Sequence, residues 1–336
     1  MKVLADIQMF LDAEIKQDRW RSFLLGRLKK TDALLGQGYW IPCLDLPSSI
    51  FLGLNGNQRE SHFLAMISSF IYLGADLLDD LHDEELDLLS HNISSADITL
   101  LSSTLLTVFP ALIIDKLEID AETKLAMHKT IAQTLLKMST GQQQDVFLAN
   151  KNTVSLGAVK QSIQDKSGEE LAMGCLLAAQ LAKISPSKQQ HYKDFGLYFG
   201  TALQIVSDFS DLMWSKTNLD LKRGARSLPI AFCIEKLKGH SKKEFMAALR
   251  AATHNPEQLK FLKSVLVDSG SLDYLALVVE DLCQRSFEIL TSLGLTEDIK
   301  TCLRNKIQSA SLLNIPLGAG YEQPKRRLYE TSITAR

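Results

Sequence analysis

Along most of this chain apolar residues recur at the three- to four-residue spacing of an amphipathic helix. Leu4, Ile7, Phe10, Leu11 and Ile15 share one face, and the pattern predicts a helix over 3–30. Gly36, Gly38, Pro42, Pro47, Gly53 and Gly56 then interrupt it, so 36–56 reads as looped or broken. A long helix is predicted over 57–92, capped by Asn57 or Ser61. Further long runs follow over 95–117, 121–150, 155–184 and 187–215, and the polar stretch 217–226 reads as a loop. Shorter helices are expected over 230–238, 241–253, 256–267, 271–293 and 296–313. Period-two alternation bounded by turns is nearly absent, and no repeat of fixed period appears. The expected fold class is all-α: one large helical bundle over 1–320, with a basic tail over 321–336 that carries Lys325-Arg326-Arg327.

Composition narrows the function classes. The 336 residues are 46% hydrophobic and 23% charged, with a net charge of -2, which leaves no basic footprint for nucleic acid. Cys43, Cys175, Cys233, Cys283 and Cys302 are scattered singly and suit a reducing compartment. The first residues lack the apolar core of a signal peptide. The nearest approach to a membrane span, 98–114, is short and contains Ser102, Ser103, Thr104, Thr107 and Pro110. It reads as a bundle helix, no transmembrane segment is expected, and the protein is expected in the cytoplasm.

The chemistry concentrates in the acidic stretch that begins Asp76-Leu77-Leu78-Asp79-Asp80-Leu81-His82-Asp83 and continues into Glu84 and Glu85. On a helix Asp76, Asp79, Asp80 and Asp83 share a face, and like charges at these spacings repel. From Arg59 to Lys116 no Lys or Arg intervenes to neutralise them. A bound cation is the expected compensation, and clustered carboxylates suit a hard ion such as Mg²⁺ bridging to a substrate's phosphates. The alternative is a helix end whose acids favour its N-terminus. A second helix carries Gln204, Asp208 and Asp211 on one face, and the two acidic faces are expected to form opposite walls of one cavity.

These stretches resemble the trans-isoprenyl diphosphate synthases, or polyprenyl synthetases. Asp79-Asp80-Leu81-His82-Asp83 matches that family's DDxxD, and Gln204 through Asp211 is similar to its QxxDDxxD, with Ser207 in place of the first aspartate. Gly141-Gln142-Gln143-Gln144-Asp145 resembles GQxxD, Lys166-Ser167-Gly168 resembles KTG, and Gly224-Ala225-Arg226-Ser227-Leu228-Pro229 resembles GKxTLP. The resemblance implies an isoprenoid-synthase bundle around a central active-site cavity. It implies Mg²⁺ held by Asp79, Asp83 and Asp208, with Asp80 and Asp211 ligating or orienting, to clamp an allylic prenyl diphosphate. Lys166 would meet that diphosphate, and Ser167 and Gln204 would stand close to the reacting carbons. Arg226, or Lys216 and Arg223 upstream, would substitute for the motif lysine that Ala225 replaces, the alternative being a solvated basic loop. Gly74 and Ala75, small residues before DDxxD, are consistent with a deep cavity for farnesyl or geranylgeranyl chains, or with ordinary helix packing.

Departures from the family pattern shape the expected reaction. Where elongating members have a GGKRxRP-like run that holds isopentenyl diphosphate, this chain has Gly36-Gln37-Gly38-Tyr39-Trp40-Ile41-Pro42. Where they have an arginine pair after the first motif, it has Glu84-Glu85-Leu86-Asp87. Two diphosphates need many donors, and this chain is equipped for one. The favoured expectation is transfer of the prenyl group to an acceptor such as a peptide, as in pheromone-modifying isoprenyl transferases. A terpene cyclase, ordinary elongation and a regulatory partner subunit are the alternatives, and the family resemblance adds a homodimer.

Overall fold

The computed structural model describes residues 2–36, 40–82, 86–89, 92–214, 221, 224–252 and 254–312, with backbone alone for residues 2 and 30–36. Asp83, Glu84, Glu85, Lys216, Arg223 and the tail expected over 321–336 lie outside the described residues. The chain begins with α1 (Lys2–Glu14), α2 (Asp18–Gly36), α3 (Pro42–Gly53) and α4 (Gln58–His82). Next come α5 (Ser95–Ser103) and α6 (Phe109–Lys116), joined by a π turn at Thr104–Val108, and then α7 (Ala121–Leu148). A second π turn, Gln164–Gly168, joins α8 (Leu156–Ile163) to α9 (Glu169–Leu181), and α10 (Pro186–Trp214) follows. The chain closes with α11 (Leu228–Lys236), α12 (Gly239–Ala251), α13 (Pro256–Asp268), α14 (Ser271–Ser292) and α15 (Glu297–Ala310). No strand occurs among the described residues, in keeping with the all-α expectation.

The core forms where the apolar stripes of the long helices meet. α10 packs between α9 and α14, while α3 lies against α4 and α9, and α7 against α9. Phe70 of α4 and Phe195, Phe199 and Phe209 of α10 are fully buried there. α9 and α10 approach so closely at Gly196 that a Cβ would lie 2.6 Å from the Leu171 carbonyl oxygen. α2 is tied down by α5: Asp97 accepts from Arg19 at 2.7 Å and from the Trp20 indole at 2.8 Å. The same carboxylate closes a capping box with Ser94. Hydrogen bonds from Ser94 and Trp20, with Arg19 nearby, hold its pKa down at about 2.

Several boundaries differ from the sequence reading, and the π turn at Thr104–Val108 interrupts the helix expected over 95–117. The helix expected over 3–30 breaks between Glu14 and Asp18, and Asp18 starts a new one. The segment expected to be broken over 36–56 contains α3, with Pro42 in its first turn. Pro47 forfeits one backbone bond inside α3, yet burial of Leu44, Leu46, Ile50 and Phe51 keeps the helix continuous. The helix expected over 57–92 ends at His82, where a run of acids meets the negative end of the helix dipole. The helix expected over 155–184 is interrupted by the π turn at Gln164–Gly168. Two helical stretches, Gln58–His82 and Ser95–Lys116, are long and apolar enough to cross a membrane, and 67% and 50% of their apolar windows are buried in the bundle. The sequence reading singled out only the second.

Candidate active site

α7 delivers the first half of the site by meeting the second π turn backbone to backbone. A Cβ on Gly141 would lie 2.4 Å from the Lys166 amide nitrogen and 2.8 Å from the Asp165 carbonyl carbon. Only a residue without a side chain permits this approach. Ser162 donates to the Gly141 carbonyl at 2.9 Å across the same contact. The wide turn re-aims Lys166 out of register with its helix, a use for which single π turns are known.

Lys166 is the hub. Its Nζ donates to Asp79 Oδ1 at 3.0 Å and Oδ2 at 3.1 Å, and lies 3.4 Å from Asp145 Oδ2. Gln142 Nε2 donates to Asp79 Oδ1 at 2.9 Å. Burial alone would lower the Lys166 pKa, but the charges of Asp79, Asp145 and Asp208 outweigh it and raise the pKa. Asp208 belongs to α10, where Gln204 Nε2 donates to its Oδ1 at 2.7 Å. The two acidic helices therefore face one ammonium group. Ser167, next to Lys166 in the π turn, is half-buried, and Asp211 lies one turn beyond Asp208 on α10.

The neutralisation of the first acidic stretch differs from the sequence expectation. Arg27 of α2 donates to Asp76 at 2.6 Å and to Asp80 at 2.5 Å. The chain itself thus supplies cations, Arg27 and Lys166, although none lies nearby in sequence. Asp80, expected at the metal, is engaged by Arg27. Burial first and Asp80 second push the Asp76 pKa up, against the pull of Arg27.

Other candidates lie apart from the hub. Arg226 is buried and donates through Nε to the Lys151 carbonyl at 3.0 Å and through Nη1 to the Gly224 carbonyl at 2.5 Å. It braces the turn at Gly224, whose φ is 75°. Gly74 sits under the first π turn, where a Cβ would meet Leu106 Cγ at 2.8 Å and Leu105 Cβ at 3.1 Å. Ala75 is partly buried against the core. Both placements accord with the helix-packing alternative.

The donor set suits a hard cation. Among the described residues no three acids converge closely enough to hold an ion by themselves. Mg²⁺ does not need such a cage, since it keeps several waters and takes one or two carboxylates plus phosphate oxygens. Asp79, Asp145 and Asp208, oxygen donors already grouped about a positive charge, offer that partial shell.

Sequence reasoning missed Arg27 and Glu170. Arg27 is one basic residue among several on α2, and its partners are 49 and 53 residues away. Glu170 did leave a signal, a second consecutive acid at the head of the apolar run of α9. Its Oε1 is buried without a hydrogen-bond partner, and burial with the nearby Asp76 charge pushes its pKa up to about 8.

Comparison with known proteins gives the family and the fold. The polyprenyl synthetase family profile matches residues 55–266. No curated protein matches by sequence. Among solved structures, a geranylgeranyl pyrophosphate synthetase from Pyrococcus horikoshii superposes with a TM-score of 0.73 at 18% identity, covering 92% of this chain and 98% of that one. The enzyme of the same description from Geoglobus acetivorans gives 0.76 at 17% identity, with 92% and 96% covered. A decaprenyl diphosphate synthase from Rhodobacter capsulatus gives 0.75 at 13% identity, with 92% and 95% covered. At these identities the likeness establishes the fold.

Proposed function

The chain belongs to the polyprenyl synthetase family, a family of prenyltransferases, and we propose that it ionises one allylic prenyl diphosphate and transfers the prenyl group to an acceptor other than isopentenyl diphosphate. The carrying observation is that Lys166 lies between the acids of α4, α7 and α10, while Arg27 is taken up by Asp76 and Asp80. Among the described residues, that arrangement sets one cation, Lys166, among the acids of three helices, which supports a site for a single diphosphate.

In this reading the bond between C1 and oxygen breaks heterolytically, and the electron pair leaves with the diphosphate. A π or lone pair of the acceptor forms the new bond to C1, and the acceptor then loses a proton. Lys166 donates to the departing oxygens, where charge develops. Gln142 holds the Asp79 carboxylate in place, and Gln204 does the same for Asp208. Asp79 and Asp208, with Asp83 and Asp211, would hold Mg²⁺, which when bound neutralises charge on the diphosphate. The apolar interior of the bundle would exclude water from the carbocation. Farnesyl or geranylgeranyl chains are the proposed substrates, and a peptide side chain the proposed acceptor.

Ordinary elongation is the second reading, favoured by the likeness to synthases of geranylgeranyl and decaprenyl diphosphates. One experiment separates them. Purified protein is incubated with Mg²⁺ and labelled farnesyl or geranylgeranyl diphosphate, with and without isopentenyl diphosphate. Diphosphate release without lengthened product is the expected result. Lengthened diphosphates formed only with isopentenyl diphosphate would overturn the proposal, and cyclic hydrocarbon from the allylic substrate alone would make the chain a cyclase.

A further inference from the structure

The π turn that carries Lys166 is held from two helices at regular intervals. On α7, Lys137, Gly141 and Asp145 fall four residues apart and share one face. Gly141 meets the turn backbone to backbone, and Asp145 faces the Lys166 ammonium at 3.4 Å. Lys137, one turn before Gly141, donates to Glu169 Oε1 at 2.5 Å. On α10, Lys193, Leu197 and Thr201 repeat the spacing. Lys193 Nζ lies 3.3 Å from Glu169 Oε2. A Cβ on Gly168 would lie 2.4 Å from Thr201 Oγ1 and 3.1 Å from the Leu197 carbonyl oxygen. The same face of α10 runs on to Gln204 and Asp208.

Glu169 is where the two rows meet. It is the first residue of α9, directly after Gly168, and its side chain is only 3% exposed. A carboxylate this deep is costly unless paired, so its burial favours the arrangement that brings both lysines to it. Lys137 makes an aligned, charge-assisted bond that raises its own pKa, whereas Lys193 supplies charge without hydrogen-bond alignment. The glycine contacts set how near the turn comes to α7 and α10. Lacking side chains to interlock, they do little to stop it sliding along either helix. The two ion pairs, one to each helix, supply that restraint at the residue that follows the turn.

We propose that Glu169 is a positioning residue for the reaction at Lys166: by holding Lys137 of α7 and Lys193 of α10 it fixes the π turn lengthwise, and with it the Lys166 ammonium between Asp79 and Asp145. This rests on the reading of Lys166 as donor to the departing diphosphate and adds to it a residue that touches no substrate. The partners of Glu169 are not the acids that face Lys166, so its effect passes through the backbone of the turn.

The test compares the unaltered protein with Glu169→Gln, Glu169→Asp, Lys137→Met and the double variant Glu169→Gln/Lys137→Met. Steady-state diphosphate release from farnesyl diphosphate with Mg²⁺ is measured well below every melting temperature, and the crystal structure of Glu169→Gln is determined. A misplacement of about 1 Å can cost about 10²-fold, so kcat in Glu169→Gln is expected to fall about tenfold or more, with KM changed less than about threefold. Glu169→Asp keeps the charge and should recover part of kcat, and Lys137→Met should cost little further in the Glu169→Gln background. In the variant crystal, Lys166 Nζ should stand away from the Asp79 carboxylate. A kcat within about twofold of the unaltered protein beside a lowered melting temperature would make Glu169 a structural brace and overturn the proposal. Fully additive losses, or Nζ unmoved at Asp79, would overturn it as well. If the unaltered protein itself releases no diphosphate, the reading of the reaction fails, and the crystal structure alone judges Glu169: a displaced Nζ upholds the positioning of Lys166, and an unmoved one overturns it. Should Glu169→Gln fail to fold by circular dichroism, Lys137→Met, altered at a half-exposed side chain, replaces it in both measurements.

Discussion

Lys166 and Asp79, 87 residues apart, meet with both carboxylate oxygens within 3.1 Å of one ammonium nitrogen. The contact joins the π turn before α9 to the first acidic helix, and Asp145 on α7 lies within reach of the same nitrogen. An ammonium so placed is held charged, because the surrounding acids raise its pKa against burial. In the proposed reaction it would donate to the departing diphosphate.

Lys166→Met should therefore lower kcat for allylic diphosphate release by about 10²-fold or more, the scale on which loss of one preorganised donor acts. Lys166→Arg should recover only part, since the charge returns without the geometry. Steady-state release of diphosphate from farnesyl diphosphate checks both. Equal rates in the Met variant and the unaltered protein would remove Lys166 from the reaction.

Gly141→Ala should damage the same site from the other side. Its Cβ would meet backbone atoms of Lys166 and Asp165, which cannot swing aside as a flexible side chain can. The cost is roughly 1–3 kcal/mol of stability, and the π turn must shift to relieve it. Thermal melting and diphosphate release should fall together. A variant that melts normally and loses only activity would show that the turn yields without strain on the bundle.

The long helices were legible because their apolar spacing persists for twenty or more residues, as in α4, α7 and α10. α3 was not, because Pro42, Pro47 and Gly53 carry local signals of interruption that burial of Leu46 and Ile50 overrides. The π turn holding Lys166 leaves no periodic trace, since one extra residue in a turn is set by the contact with Gly141. The acids of the site stood out in the sequence, as did Lys166 and Gln204. Their counterion did not: the gap in basic residues from Arg59 to Lys116 suggested an external cation, while folding brings Arg27 from α2.

Arg27→Met tests that counterion. Without the guanidinium, Asp76 and Asp80 face each other uncompensated on one turn of α4, at sites only partly screened by solvent. The loss should be roughly 1–2 kcal/mol, less than for a fully buried pair. Added MgCl₂ should restore part of it if a divalent ion can take the place of the guanidinium at these carboxylates. Melting temperatures of both proteins with and without MgCl₂ decide the matter. A deficit that Mg²⁺ leaves untouched would mean that Arg27 is not interchangeable with the ion there.

Glu170 gives the stability a pH dependence of definite sign. Burial foremost, with the Asp76 charge second, raises its folded pKa from 4.5 to about 8. Between those values the folded protein holds a proton that the unfolded chain has released. Stability therefore falls as pH rises through this window, and the full penalty stands once Glu170 ionises above about 8. Glu170→Gln removes the ionisation while keeping the shape. Its melting temperature should match the unaltered protein near about pH 5 and exceed it increasingly toward about pH 9, by an amount worth roughly 1–3 kcal/mol on the scale for burying an unsatisfied polar group. Burial and the Asp80 charge also raise the Asp76 pKa, so Asp76→Asn in the Glu170→Gln background should remove any slope that this carboxyl still contributes. Parallel melting curves for the unaltered protein and Glu170→Gln would place a donor on the Glu170 carboxylate and return it to the ordinary carboxylate range.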